Sequence, residues 1–221
     1  TIIEDKENNS LYNSALLLED GIIKQRVDKA LLENYDVFDE SRYFKSSKSF
    51  GVVDFQGIKI GLTIGDMISG DKKVSLDIFE GLYRENPHIF INISAFPYYY
   101  GRVDEMENGL TYYSKKYQRP FIYVNQVGAN DELVFNGGSM IYNSEGDCIQ
   151  RCRNFEEDMT TFNMGTTYTR LENVDEDISW IHDGLILGVK DYFRKSGFTR
   201  AILGISGGVD SAIAAYICAK A

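Results

Sequence analysis

The chain has 221 residues, 43% hydrophobic and 13% aromatic, which is enough apolar material to bury a sizeable core and argues against a disordered chain. Its formal net charge of -10 argues against nucleic acid and anionic membrane as partners, because both bind basic surfaces. A phosphate ligand must then be held by local backbone N–H groups or a metal ion. The three cysteines, Cys148, Cys152 and Cys218, have no framework spacing and fit a reducing, cytoplasmic setting with a packing role. No signal peptide or membrane span is legible, since the most apolar late stretch, 201–219, carries Asp210 in its middle. The chain opens on Thr1 and stops at Ala221 inside a helical pattern, so it reads as a piece of a longer protein.

Leu11 to Leu18 reads as a strand that turns at Glu19-Asp20-Gly21 into Ile22 to Val27. Val52 to Phe55 and Ile58 to Ile64 form a second hairpin around Gln56-Gly57. An amphipathic helix is predicted over Leu76 to Asn86, then a strand at Ile89 to Ile93 that is buried on both faces. A helix over Gly109 to Gln118 precedes a strand at Phe121 to Asn125. Val134 to Tyr142 and Cys148 to Phe155 are predicted strands joined by Asn143-Ser144-Glu145-Gly146. Glu156 to Asp177 is polar and weakly patterned, which suits a linker. A helix follows over Ile178 to Lys195 and ends at Gly197, then a strand at Ala201 to Ile205 and a helix from Asp210. Alternating strands and helices with interspersed hairpins imply an α/β sandwich.

The strongest local motif is Gly204-Ile205-Ser206-Gly207-Gly208-Val209-Asp210-Ser211, placed between a strand and a helix. Its glycines allow positive φ and close backbone approach, its serines add hydroxyl donors, and the helix that follows points free N–H groups at the same spot. Asp210 stands where it can hold Mg²⁺. No Lys follows the glycines, so this is not the G-x-x-x-x-G-K-[ST] loop. A plain glycine turn accounts less well for Ser-Gly-Gly-x-Asp-Ser in this context. The loop resembles that of the ATP pyrophosphatase family, whose enzymes cleave ATP between the α and β phosphates.

Upstream, 29–40 (Lys-Ala-Leu-Leu-Glu-Asn-Tyr-Asp-Val-Phe-Asp-Glu), 92–98 (Asn-Ile-Ser-Ala-Phe-Pro-Tyr), 125–139 (Asn-Gln-Val-Gly-Ala through Gly-Gly-Ser) and 191–195 (Asp-Tyr-Phe-Arg-Lys) stand in the order seen in one family. Together they resemble the glutamine-dependent NAD⁺ synthetases over essentially the whole chain. The resemblance implies a nitrilase-like αββα sandwich over 1–160, a linker over 161–177, and over 178–221 the first strand, loop and helix of a doubly wound parallel-sheet ATP pyrophosphatase domain. It also implies glutamine, ATP and nicotinic acid adenine dinucleotide as substrates, Mg²⁺ as cofactor, and a homo-oligomer.

In that family a Glu–Lys–Cys triad hydrolyses glutamine, and the ammonia attacks an adenylated dinucleotide. Lys29 matches the triad lysine, while Tyr35 and Arg102 match glutamine-binding positions. Phe96 stands where the family has a glutamine-contacting Ser. Gly204, Ile205, Ser206, Gly207, Gly208, Val209, Asp210 and Ser211 match the ATP loop. The family's nucleophile follows an apolar strand as Cys-x-Asp, yet Ile64 runs directly into Gly65-Asp66. One residue inserted between Ile64 and Gly65 restores the spacing. The Glu base of the family lies upstream of Thr1, and Glu33 replaces a Pro. The chain itself is therefore expected to be catalytically incomplete. A free-standing nitrilase-type amidohydrolase and a non-catalytic paralogue serving as oligomer partner are the other readings.

Overall fold

Apolar residues spaced two apart, punctuated by residues that accept positive φ, lay down the strands. In the computed structural model, which describes residues 1–5, 9–47, 51–68 and 72–221, β1 (Ile2–Asp5), β2 (Ser10–Glu19) and β3 (Ile22–Asp28) pair antiparallel in that order. Asp20 and Gly21 have φ of 51° and 74°, the geometry a two-residue hairpin needs. A short helix, α1 (Glu40–Tyr43), follows. β4 (Val52–Phe55) and β5 (Ile58–Ile64) then pair through Gln56-Gly57, whose φ values of 53° and 82° again match the strand twist.

α2 (Lys72–Arg84), β6 (Ile89–Ser94), α3 (Arg102–Tyr117) and β7 (Phe121–Asn125) complete two right-length crossovers, so β5, β6 and β7 run parallel. β8 (Val127–Asn130) and β9 (Leu133–Asn136) form a separate hairpin. β10 (Met140–Tyr142) and β11 (Cys148–Arg151) add to the β7 edge, giving a six-stranded sheet of order β11-β10-β7-β6-β5-β4. The parallel strands end together at Ile64, Ser94 and Asn125, and the site lies along that edge.

Each face of this sheet is covered differently. Helices α2 and α3 press Phe79, Leu82, Leu110 and Tyr113 onto Phe90 and Phe121. Phe79 meets Phe90 edge-on at 5.6 Å and Phe121 at 5.4 Å. On the opposite face Val27, Ala15 and Leu17 of the three-stranded sheet cover Val53, Leu62, Ile60 and Ile91. This helix-on-sheet-on-sheet layering is the nitrilase-like fold.

α4 (Ile178–Ser196) packs against β8, β9 and α5 (Val209–Lys220). Asp177 caps its start by accepting from the Ser179 N–H at 2.7 Å, and Gly197 ends it at φ 73°. Asp191, buried on its inner face, accepts from the Ala129 N–H at 2.8 Å, and Lys195 Nζ donates to the Ala129 carbonyl. The segment between the sandwich and α4 is anchored as well. Glu176 accepts from the N–H groups of Gly101 (2.8 Å) and Val103 (2.7 Å), capping α3, which has no capping side chain of its own. Tyr98 Oη donates to the same carboxylate at 3.2 Å, and Tyr100 Oη to the Glu176 carbonyl at 3.0 Å.

Several boundaries differ from the sequence expectation. α2 and α3 begin earlier, at Lys72 and Arg102. The strand expected over Val134 to Tyr142 is interrupted at Gly137-Gly138, both at positive φ, so it splits into β9 and β10. The strand expected over Cys148 to Phe155 stops at Arg151. Residues 201–205 form no strand; they are exposed and, among the described residues, no strand lies beside them to complete a ladder. Ile93 is 41% exposed rather than buried, because the three-stranded sheet does not extend over the end of β6.

Candidate active site

The site begins where β5 stops. Gly65 takes φ 86°, a conformation glycine adopts without strain. Its N–H donates to the Ile93 carbonyl at 2.9 Å, and its own carbonyl accepts from Met67 N–H (2.9 Å) and Asn92 Nδ2 (3.1 Å). A side chain is also excluded by space. A Cβ at Gly65 would lie 2.7 Å from Glu33 Oε1 and 2.8 Å from Lys29 Nζ.

Lys29 follows β3 directly and turns inward, only 3% exposed. Its Nζ is held by Glu33 Oε2 at 2.5 Å and by Glu40 Oε2 at 2.6 Å. A buried ammonium needs a partner, because an unpaired buried charge is costly, and here it has two carboxylates. Glu40 is further tied by the Glu33 N–H (2.7 Å) and Asn13 Nδ2 (3.3 Å). The second Glu33 oxygen accepts from the Asp66 N–H at 2.9 Å. Lys29 and the β5 turn thus meet across Glu33.

The contacts continue toward α3. Asp66 pairs with Arg102 Nη2 at 3.2 Å, and Arg102 Nη1 reaches Glu105 at 3.3 Å. The Arg102 guanidinium lies 3.6 Å over the Phe96 ring, a close cation–π contact. Phe96 in turn faces Tyr35, with ring centroids 6.3 Å apart. Arg102 is 3% exposed and so is a buried charge. Burial, the largest single influence, opposes its charge, but Asp66 together with Tyr123 and Tyr99 outweighs it and raises the pKa. Burial first, then the Glu33 and Asp66 carboxylates, hold the Tyr35 hydroxyl well above the ordinary tyrosine range. Tyr123, which shares a wall with Arg102, is pushed up to about 12 chiefly by burial.

Lys29, Glu33, Glu40 and Gly65 open onto a cavity of about 740 Å³, which Ser94 and Asn125 also line. A cation, a backbone N–H and a solvent-reachable cavity make a site that holds a carboxylate or a developing oxyanion. The residue at the turn is a glycine and brings no nucleophile. The cysteines lie elsewhere: Cys148 belongs to the core between α3 and the sheet, Cys152 is buried, and Cys218 is on α5. Burial raises the pKa of both Cys148 and Cys152, keeping them as inert thiols.

The sequence-predicted residues Lys29, Tyr35, Phe96 and Arg102 come together in one contact chain. The partners Glu33, Glu40 and Asp66 were not predicted; a carboxylate four residues after Lys29 in an unpatterned loop was the available signal.

The Gly204–Ser211 loop lies apart from this chain and is exposed up to the first turn of α5. Gly207 has φ 85°. Ser206 Oγ accepts from the Gly208 N–H at 3.3 Å and lies 3.2 Å from Ser211 Oγ. The loop therefore folds on its own serines and leaves α5 without a side-chain cap. Asp210 is a single exposed carboxylate, and among the described residues no group of three His, Cys, Asp or Glu side chains gathers for a metal.

Sequence models of two families match the chain: carbon-nitrogen hydrolase over residues 1–170 and NAD synthase over residues 181–221. The glutamine-dependent NAD(+) synthetase of Synechocystis sp. is 38% identical over 99% of this chain and 41% of its own length. That of Acinetobacter baylyi is 32% identical over 99% of this chain and 40% of its own. The chain thus spans about two fifths of the length of these relatives. Among solved structures, the glutamine-dependent NAD+ synthetase of Acinetobacter baumannii, in complex with adenosine diphosphate, superposes with a TM-score of 0.86 at 30% identity, over 99% of this chain and 41% of that one. A carbon-nitrogen hydrolase from Helicobacter pylori shares the fold, with a TM-score of 0.60 at 20% identity over 70% of this chain and 56% of that one.

Proposed function

The chain belongs to the carbon-nitrogen hydrolase family, and from that premise we propose that it serves glutamine-dependent NAD⁺ synthesis. The reaction is the ATP-dependent amidation of nicotinic acid adenine dinucleotide, with ammonia drawn from glutamine. Residues 1–160 are the amidase part, 161–177 the linker and 178–221 the opening of the synthetase part. The observation that carries this reading is the single contact chain from Lys29 through Asp66 and Arg102 to Phe96 and Tyr35, on a polypeptide that runs on into the Ser-Gly-Gly-x-Asp-Ser loop.

In the amidase part, Lys29 Nζ and the backbone N–H at the β5 turn are the groups able to stabilise negative charge on an amide oxygen that displaces the Glu33 carboxylate. Arg102 and Tyr35 bind and orient glutamine, and Phe96 closes the wall where a hydroxyl is usual. The attacking thiol of this chemistry belongs between Ile64 and Gly65, where the sequence has none. In the synthetase part, backbone N–H groups of 204–211 and the start of α5 cradle the phosphates of ATP. Asp210 holds Mg²⁺, which when bound neutralises phosphate charge. The setting is cytoplasmic and the protein a homo-oligomer; among the described residues no helix is long and apolar enough to cross a membrane.

Calorimetric titration with glutamine and with ATP plus Mg²⁺ tests this reading. Saturable binding of both is expected, with ATP binding lost in Asp210→Ala and Gly207→Val. Binding of neither ligand overturns it. A second reading, a non-catalytic paralogue, is favoured by one observation: Gly65 brings no nucleophile and Glu33 lies in the space a side chain there would need. It predicts no ammonia release from glutamine, and the mass of the peptide spanning 60–72 fixes whether a cysteine precedes Gly65.

A further inference from the structure

The Glu33 carboxylate sits where a ligand anion belongs. One oxygen accepts from the Asp66 N–H at 2.9 Å and the other from Lys29 Nζ at 2.5 Å. One donor follows β3 and the other the end of β5; Lys29, Glu33 and Gly65, the neighbour of Asp66, line the 740 Å³ cavity, and 13% of the Glu33 side chain is exposed. Glu40 already neutralises Lys29 at 2.6 Å and is fixed independently by the Glu33 N–H and Asn13. Glu33 is therefore the surplus anion of the cluster. A lysine ammonium has three protons to give, so the one donated to Glu33 is available to another acceptor when Glu33 is absent.

We propose that Glu33 is a built-in occupant of this anion site, and that the site accepts small monocarboxylates of the acetate or formate class only when Glu33 is removed. In the wild-type protein Glu33 thus competes with any external carboxylate or oxyanion for the same two donors. Space argues the same way as charge: Glu33 Oε1 lies 2.7 Å from the position of a Cβ at Gly65, so a side chain at the turn and the Glu33 carboxylate exclude one another. The inference rests on the amidase reading for the name of the site, and on the donors alone for its chemistry.

Sodium acetate titrated into ¹⁵N-labelled wild-type protein and Glu33→Ala, at ionic strength matched with sodium chloride, tests it through the Asp66 amide resonance. Glu33→Ala is expected to show a saturable shift, with an affinity at least about tenfold above wild type, because a charge-assisted pair of hydrogen bonds is regained. Wild type should show no saturable shift. An acetate-dependent Asp66 shift of equal affinity in wild type overturns the proposal, as does a folded Glu33→Ala protein that binds no acetate. Glu33→Ser, too short to span Lys29 and Asp66, repeats the comparison should Glu33→Ala not fold. Loss of fold in both variants overturns the proposal too, since Glu33 would then be a structural partner of Lys29. Acetate binding without glutamine binding would sink the glutamine reading and leave this inference standing.

Discussion

Tyr123 shows how one side chain ties the site to stability. Its hydroxyl is pushed from the ordinary 10.0 to about 12, mainly by burial. Between those values the unfolded chain has released the proton and the folded protein has kept it, so the unfolded state binds fewer protons and stability falls as pH rises from about 10 to 12. The loss attributable to this residue is on the order of 2 kcal/mol. Urea unfolding of wild type and Tyr123→Phe across that range should show a shallower decline in the variant. The members of the contact chain were legible unevenly. Lys29, Tyr35, Phe96 and Arg102, which one contact chain joins, were singled out through resemblance, because each sits in a segment with matching flanks. The partners of Lys29 and Arg102 were not, since Glu33, Glu40 and Asp66 reach them through loop conformation, which leaves no period in the sequence. The enclosure of Arg102 by Asp66 and Phe96 in particular is invisible in the sequence.

At the scale of elements, α4 depends on a buried acid. Asp191 satisfies the Ala129 N–H of β8 and pairs with Arg194 at 2.9 Å. Asp191→Ala leaves that N–H unpaired inside the contact, and is expected to cost about 1–3 kcal/mol. Hydrogen exchange at Ala129 and limited proteolysis within 156–177 should both accelerate. Hairpins were legible wherever turn chemistry is local: Asp20-Gly21 and Gln56-Gly57 were placed correctly because residues tolerant of positive φ stand between alternating runs. The break between β9 and β10 escaped because Gly137-Gly138-Ser139 interrupts an otherwise continuous strand pattern. The absent strand at 201–205 marks the opposite limit. An apolar run has strand character only when a neighbour supplies the ladder, and the run alone does not contain that information.

Across the whole molecule, Glu176 links the two parts. It lies just before the cap of α4 and caps α3 from outside, one residue from the start of the helix that carries Arg102. Glu176→Ala is expected to cost about 1 kcal/mol, the usual worth of an N-terminal cap. Faster amide exchange at Val103 with unchanged exchange in β6 would localise the effect. A mixed α/β sandwich was legible from the alternation of elements and its layering from resemblance, whereas this crossing contact, 73 residues apart in sequence, was not. Because one carboxylate is shared, the ordering of the α3 start and the seating of the segment before α4 form a single equilibrium with two ends. Any ligand that tightens one end must favour the other by the same free energy, and any event that pulls α4 outward must loosen the helix that positions Arg102. The connector thus works as a reciprocal coupling, by which the seating of the segment before α4 and the order of the first turn of α3 are felt by one another.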